Sequence, residues 1–141
     1  LRFRLVTRDD GADRVLPLVK MGAALPELHL PLVGTEPEAF IIACATVGES
    51  PLVDVDLGIA LQSMLLKAVE MGLNGLIIGA FNRQKLQEVL ALPYPPLMVL
   101  AIGKGAEQTE LTSIGESESH AYYRCDGIHY VPKVRFADLL I

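Results

Sequence analysis

The chain has no tryptophan, only two cysteines and three histidines, and none of the short motifs that mark the commonest chemistries. There is no GxGxxG, no GxxxxGK[ST], no HExxH and no CxxC, so nothing local points to a dinucleotide fold, a P-loop, a zinc protease or a redox dithiol. His29, His120 and His129 are scattered, and none stands beside a Ser or Cys in the pattern of a triad. Asp54 and Asp56 stand at a helix start, where capping accounts for them better than acid–base work. No side chain therefore qualifies as a catalytic nucleophile or a metal ligand, and any enzymatic chemistry falls to a cofactor. Two cysteines cannot form a disulfide framework, and Cys44 lies inside the apolar run FIIACA, as a buried free thiol does. That usage fits a reducing, cytoplasmic setting.

Long apolar runs are missing too. Runs such as Leu97 to Ile102 are far below the roughly 20 residues a membrane span requires. A membrane partner is not expected, and no signal peptide is visible. A formal charge of −5 argues against nucleic acid, which calls for a basic face, and is too modest to imply disorder. The chain also opens without Met, at Leu1 and already inside a strand-like RFRLV, which reads as a chain beginning in the middle of a fold.

What is present is apolar. Hydrophobic residues make up 51% of the 141 residues and the mean hydropathy is +0.39. The length suits a single domain over 1–141, and no linker divides it. The surplus of apolar surface implies burial against another chain, so a homodimer is expected.

The stretch around which the rest is organised is Asp56–Phe81, DLGIALQSMLLKAVEMGLNGLIIGAF. Leu57, Ala60, Leu61, Met64, Leu65, Ala68 and Val69 fall at i, i+3, i+4 spacing and predict a helix over 56–72. Asp54 or Asp56 is its expected cap, and Gly72 its left-handed stop. Leu76-Ile77-Ile78 then reads as a strand buried on both faces. Gly79-Ala80 has almost no side chain, so backbone N–H groups there can approach a flat ligand.

Elsewhere, Arg2–Thr7 alternates, with Phe3, Leu5 and Thr7 on one face and Arg2 and Arg4 on the other, as a strand does. Residues 14–24 have helical composition, restricted by Pro17 to a start or a kink. Residues 25–37, with three prolines, are expected to cross the surface without an element. Ala39–Thr46 and Leu97–Ile102 read as buried strands. Asn82 is expected to cap a helix over 83–90, with Phe81 and Leu86 as its hydrophobic staple. Residues 106–118 are polar and predict a mobile excursion. A hairpin follows, with residues 121–124 and 128–131 joined by Cys125-Asp126-Gly127. Strands and helices in this order predict a layered α/β sandwich with helices on the sheet.

Two places attract attention as sites. One is the Gly79-Ala80 bend. The other is the C-terminal run, where a period of two puts His129, Lys133 and Arg135 on one face and Tyr130, Val134 and Phe136 on the other. Three cationic or part-cationic groups on an acidic chain form a plausible phosphate grip, and a solvated edge-strand face, which Pro132 suits, is the other reading.

In succession, DLGIALQSMLLKAVEMGLNGLIIGAF, LALPYPPLMVLAIGKG, the upstream EPEAFIIACAT and the closing GIHYVPKVRFADLLI resemble the flavin-dependent nitroreductase family over residues 37–141. The resemblance implies an α+β fold with a central, mainly antiparallel sheet flanked by helices, dimeric, with FMN at the subunit interface. It implies ping-pong hydride transfer from NAD(P)H through FMN to a nitroaromatic, quinone or similar small-molecule acceptor. Gly79 and Ala80 match the backbone that contacts the flavin near N5, and Lys133, with His129 and Arg135, matches the segment that reaches the FMN phosphate. The family's opening Arg-x-Ser and Asn-x-Gln segments have no counterpart, so a fragment or a truncated relative is expected. The alternative is a non-catalytic dimeric α/β binding or scaffold module that has lost flavin. A relative that keeps flavin for other chemistry is a third.

Overall fold

The apolar runs AFIIAC and PLMVLAIG become the two central strands of a sheet, because only a central strand can bury side chains on both faces. The computed structural model describes residues 1–22 and 26–141. Two compact units are distinguished, Leu1–Met21 with Leu30–Gly105, and Gly22–His29 with Ala106–Ile141.

In the first unit β1 (Arg2–Thr7) leads through a 3₁₀ turn and Gly11 into α1 (Ala12–Val15), which tightens into a second 3₁₀ turn at Leu16–Leu18, where Pro17 stands. Then come β2 (Ala39–Cys44), α2 (Pro51–Glu70), β3 (Asn74–Ile78), α3 (Arg83–Val89) and β4 (Pro96–Gly103). The strand order is β1-β2-β4-β3 and every pairing is antiparallel. This is the mixed α+β class with an antiparallel sheet.

Alternation along the strands divides the core in two. Val6, Phe40, Ile42, Val99 and Ala101 pack with Ala12, Val15 and Leu86 from α1 and α3. Ala43, Leu97 and Leu100 pack with Leu57 and Leu61 of α2.

Three expectations are corrected here. The α2 helix starts at Pro51, capped not by Asp54 or Asp56 but by Ser50, whose Oγ accepts from the Val53 N–H at 3.4 Å. Proline at the first helical position costs no hydrogen bond, since that N–H has no partner in a helix. The β3 strand is an edge, not a strand buried on both faces: Ile78 is buried, while Leu76 is 47% and Ile77 39% exposed. In β1 the buried residue is Val6; Phe3 and Leu5 stay exposed, because α2 packs over the central strands and leaves this edge uncovered.

The stop of α2 is as expected. Gly72 has φ +74, its N–H donates to the Val69 carbonyl at 2.9 Å, and the Leu73 N–H reaches the Ala68 carbonyl at 2.9 Å. Together these two bonds form a Schellman motif. Along α2 the inward stripe also takes in Val53, whereas Val69 faces outward with Leu52, Val55, Ile59 and Leu66.

The second unit holds β5 (Gln108–Ile114), β6 (Tyr123–Cys125) and β7 (Ile128–Val134), ordered β5-β7-β6. The β6–β7 hairpin turns on Asp126 (φ 50) and Gly127 (φ 79), the pair of positive φ angles of a type I′ turn. Residues 108–114, expected as part of a polar excursion, instead form a strand parallel to β7, from Gln108↔Ile128 to Ile114↔Val134. A 3₁₀ turn at Pro26–Leu28 falls where no element was expected. Expectations for residues 23–25 lie outside the described residues.

Among the described residues no helix is long and apolar enough to cross a membrane, and no group of His, Cys, Asp and Glu is placed to hold a metal ion.

Candidate functional site

The Gly79-Ala80 bend is fixed from both sides by the elements that flank it. On one side is the end of β3, where Ile78 pairs with Val99 and is buried. On the other, Asn82 caps α3, its side chain accepting from the Lys85 N–H at 3.0 Å. Phe81 packs against the cluster that buries Leu86, so the expected staple forms. Between these anchors the chain is tied to the segment after α1. The Lys20 N–H donates to the Ala80 carbonyl at 2.8 Å, the Asn82 N–H donates to the Leu18 carbonyl at 2.9 Å, and Val19 bridges Phe81.

The carbonyl of Ala80 is thus used, while the N–H groups of Gly79 and Ala80 make no turn or loop hydrogen bond among the described residues. Both residues are exposed. A methyl placed on Gly79 would meet only Met98, its Sδ at 3.4 Å. This is a bare stretch of backbone, anchored on both sides, whose N–H donors are not taken up by turn or loop hydrogen bonds among the described residues. Such a surface suits a flat ligand that has acceptors along its edge and takes on negative charge there.

In the second unit, β7 carries His129 and Lys133 with the side-chain parity expected of a strand, and Arg135 follows the strand and opens the turn at Phe136–Leu139. The ladder continues into it, the Arg135 N–H donating to the Ile114 carbonyl at 3.0 Å. Pro132 is buried and β7 is the middle strand, not an edge; β6, however, ends opposite Tyr130, so beyond that point β7 has a strand neighbour on one side alone and tolerates a residue with no N–H.

The three cationic groups differ in what they already hold. Arg135 pairs with Asp138 through Nε at 3.0 Å and Nη2 at 2.9 Å. His129 turns Nδ1 toward Glu107 Oε2 at 3.5 Å and meets Tyr122 edge-on. Lys133 is exposed and has no carboxylate partner among the described residues.

Glu107 and Arg124 are the residues that sequence reasoning missed. Arg124 donates to Glu107 through Nε and, at 3.0 Å, through Nη2, a bidentate fork beside His129. The hydrogen bond from Arg124 holds the Glu107 carboxyl below its ordinary value, and the same bond raises Arg124. Among the described residues, Arg124 Nη1 and His129 Nε2 are buried with no hydrogen-bond partner. The sequence carried one signal for this cluster: Arg124 and His129 stand at equal distances from the Asp126-Gly127 turn, which makes them cross-strand partners. Nothing local attached Glu107 to them.

The five expected site residues therefore form two groups, Gly79 with Ala80 in the first unit, and His129, Lys133 and Arg135 in the second.

Against known proteins, the sequence pattern of the Nitroreductase family matches residues 6–104. Among solved structures the chain is similar to a nitroreductase family protein from Clostridium difficile 630, with 21% identity and a TM-score of 0.57, over 75% of this chain and 60% of that one. It is also similar to a nitroreductase family protein from Clostridium novyi NT, with 22% identity and a TM-score of 0.55, over 73% of this chain and 60% of that one. The chain thus spans 60% of the length of either solved relative. No curated protein matches it.

Proposed function

Since this chain belongs to the nitroreductase family, we propose that it serves an FMN-dependent NAD(P)H oxidoreductase that reduces nitroaromatic, quinone or similar small-molecule acceptors. The observation that carries this reading is the Gly79-Ala80 bend: exposed, without side chains that obstruct, and with N–H donors left over. FMN, when bound, would supply the hydride-transfer chemistry between NAD(P)H and the acceptor. This chain's own part is electrostatic and positional. The N–H groups at Gly79 and Ala80 would hold the flavin and favour negative charge on it, and their anchoring through Lys20 and Asn82 means that little reorganisation would be needed. Lys133 would offer a point charge for the phosphate, while His129 faces Glu107 and Arg135 pairs with Asp138.

A homodimer is part of the proposal. Along the outward side of α2, Leu52, Ile59 and Leu66 recur every seven residues, as do Val55, Gln62 and Val69, an a/d seam with its apolar members in water. Burying that seam against a second copy would consume much of the surplus apolar surface. The free thiols of Cys44 and Cys125 agree with a reducing, cytoplasmic setting.

One observation favours the second reading, a dimeric binding or scaffold module without flavin. Arg135 and His129 already face carboxylates, which leaves Lys133 as the one cation of the three without such a partner among the described residues. The deciding experiment is an FMN titration followed by visible absorbance, flavin fluorescence and melting temperature, and then NADH oxidation with a quinone at saturating FMN. Flavin uptake with turnover is the expected result. Absence of uptake overturns the cofactor assignment and favours the binding module, and uptake without turnover favours a relative that keeps flavin for other chemistry.

A further inference from the structure

Arg2 and Arg4 lie two residues apart on β1, so both side chains leave the same face of the strand. Beside that face, between β1, the end of β2 and the loop after α3, is a cleft of about 390 Å³. Its walls include Arg2, Arg4, Cys44, Leu92, Pro93 and Tyr94, and among the described residues no carboxylate lines it. The size falls in the range of small-molecule sites, which are mostly apolar with a few placed polar groups.

The charge on this wall is incompletely neutralised. Arg4 Nη2 pairs with Asp10 Oδ2 at 3.0 Å. Arg2 has no carboxylate partner among the described residues, and its Nη1 donates only to the Leu1 carbonyl, at 2.8 Å. The floor adds no negative charge. Cys44 is 3% exposed, and burial pushes its thiol up, so it stays neutral. The opposite wall is rigid. Ala91 is held at φ 49, the Leu92 N–H donates to the Gln87 carbonyl at 2.9 Å, and Gln87 Nε2 returns to the Leu92 carbonyl at 3.3 Å. A preformed wall spares a ligand the cost of ordering it.

We propose that this cleft binds a small aromatic carboxylate, its ring against Leu92, Pro93 and Tyr94 and its carboxylate on the Arg2 guanidinium, with Arg4 as a second donor. Guanidinium matches a carboxylate through two parallel N–H donors, and Tyr94 offers the ring an aromatic neighbour. The assignment does not rest on flavin binding, since none of these residues belongs to the Gly79-Ala80 bend or to β7.

The test is an amide NMR titration of the 141-residue chain with 1-naphthoate, with and without FMN. Saturable shifts confined to residues 2–4, Cys44 and 90–94 are expected, unchanged by FMN. Arg2→Gln weakens the binding about tenfold, as does replacing the probe by the uncharged 1-naphthylmethanol, while Lys104→Gln has no effect. Equal binding of the alcohol overturns the proposal, as do shifts elsewhere or an absence of saturation in the millimolar range. Displacement by FMN overturns it too, because the cleft would then be part of a flavin site.

Discussion

Gly75 of β3 lies so close under Leu65 of α2 that a side chain there would have to displace the end of Leu65. A methyl there would run into Leu65 Cδ2 and stand 3.2 Å from the Ala101 carbonyl oxygen. Helix and edge strand touch without an intervening layer at this point. Gly75→Ala is expected to destabilise the protein by about 1–3 kcal/mol, the usual cost of overpacking. A lower urea midpoint at unchanged slope is the measurement.

Gly72 makes the complementary case. A methyl on it would meet nothing within 4 Å, yet its φ is +74. Gly72→Ala therefore carries only a conformational cost, about 1 kcal/mol, and Gly72→Asn less, because Asn tolerates the left-handed region. Equal losses for Ala at 72 and 75 in the same denaturation series would contradict this division.

The Glu107–Arg124 pair makes stability depend on pH in a stated direction. Arg124 lowers the Glu107 carboxyl in the folded state, so the pair's contribution is complete above the unfolded carboxylate value and is lost as pH falls through the lowered folded one. Glu107→Gln should cost about 1 kcal/mol at neutral pH, discounted for the groups' partial exposure. The gap between variant and parent should close in acid, which thermal melts across that range can follow.

Replacing the hydrogen of Gly79 by methyl should separate folding from binding. The nearest obstacle is Met98 Sδ at 3.4 Å, an ordinary contact, so Gly79→Ala keeps its melting temperature. If the bend touches FMN, affinity falls about tenfold, and Lys133→Ala has a comparable effect through the lost charge–phosphate contact. A fluorescence titration reads both.

Opposite faces of α2 should answer differently to substitution. Leu61 is 2% exposed and packs with Leu57 and Leu100, so Leu61→Ala costs about 2–5 kcal/mol. Ile59→Glu lies on the outward seam and should leave the unfolding of the single chain nearly unchanged while lowering the mass seen in sedimentation. A mass unaffected by Ile59→Glu would count against the seam as a dimer contact.

Much of this architecture can be read locally. The Gly72 stop, the Asn82 cap with its Phe81–Leu86 staple, the two central strands and the Asp126-Gly127 hairpin each depend on residues close together in sequence. Several of the misreadings share one cause, since what decided them was a distant neighbour. Whether Leu76 and Ile77 are covered depends on β3 being an edge, which their own apolar character does not encode. Residues 108–114 become a strand only because β7 pairs with them in parallel. At α2 the signal was present in Ser50-Pro51, a cap followed by a first-position proline, but the apolar stripe drew the boundary later. Of the site, the Gly79-Ala80 bend was legible because small residues after a strand leave backbone bare. The turning of His129 toward Glu107 was not, because Glu107 precedes β5 and meets His129 only through the pairing of β5 with β7.

The parallel pairing of β5 with β7 has a consequence for how the chain is made. On a ribosome, residues 108–114 emerge before the segment that will receive them, with β6 synthesised in between. Until 128–134 have left the exit tunnel, the nascent strand around the exposed Leu111 has no lateral neighbour in its own sheet. A stalled or clipped chain lacking residues 128–134 would therefore display a sticky ribbon to chaperones and proteases, whereas the antiparallel sheet of the first unit is already complete at Gly103.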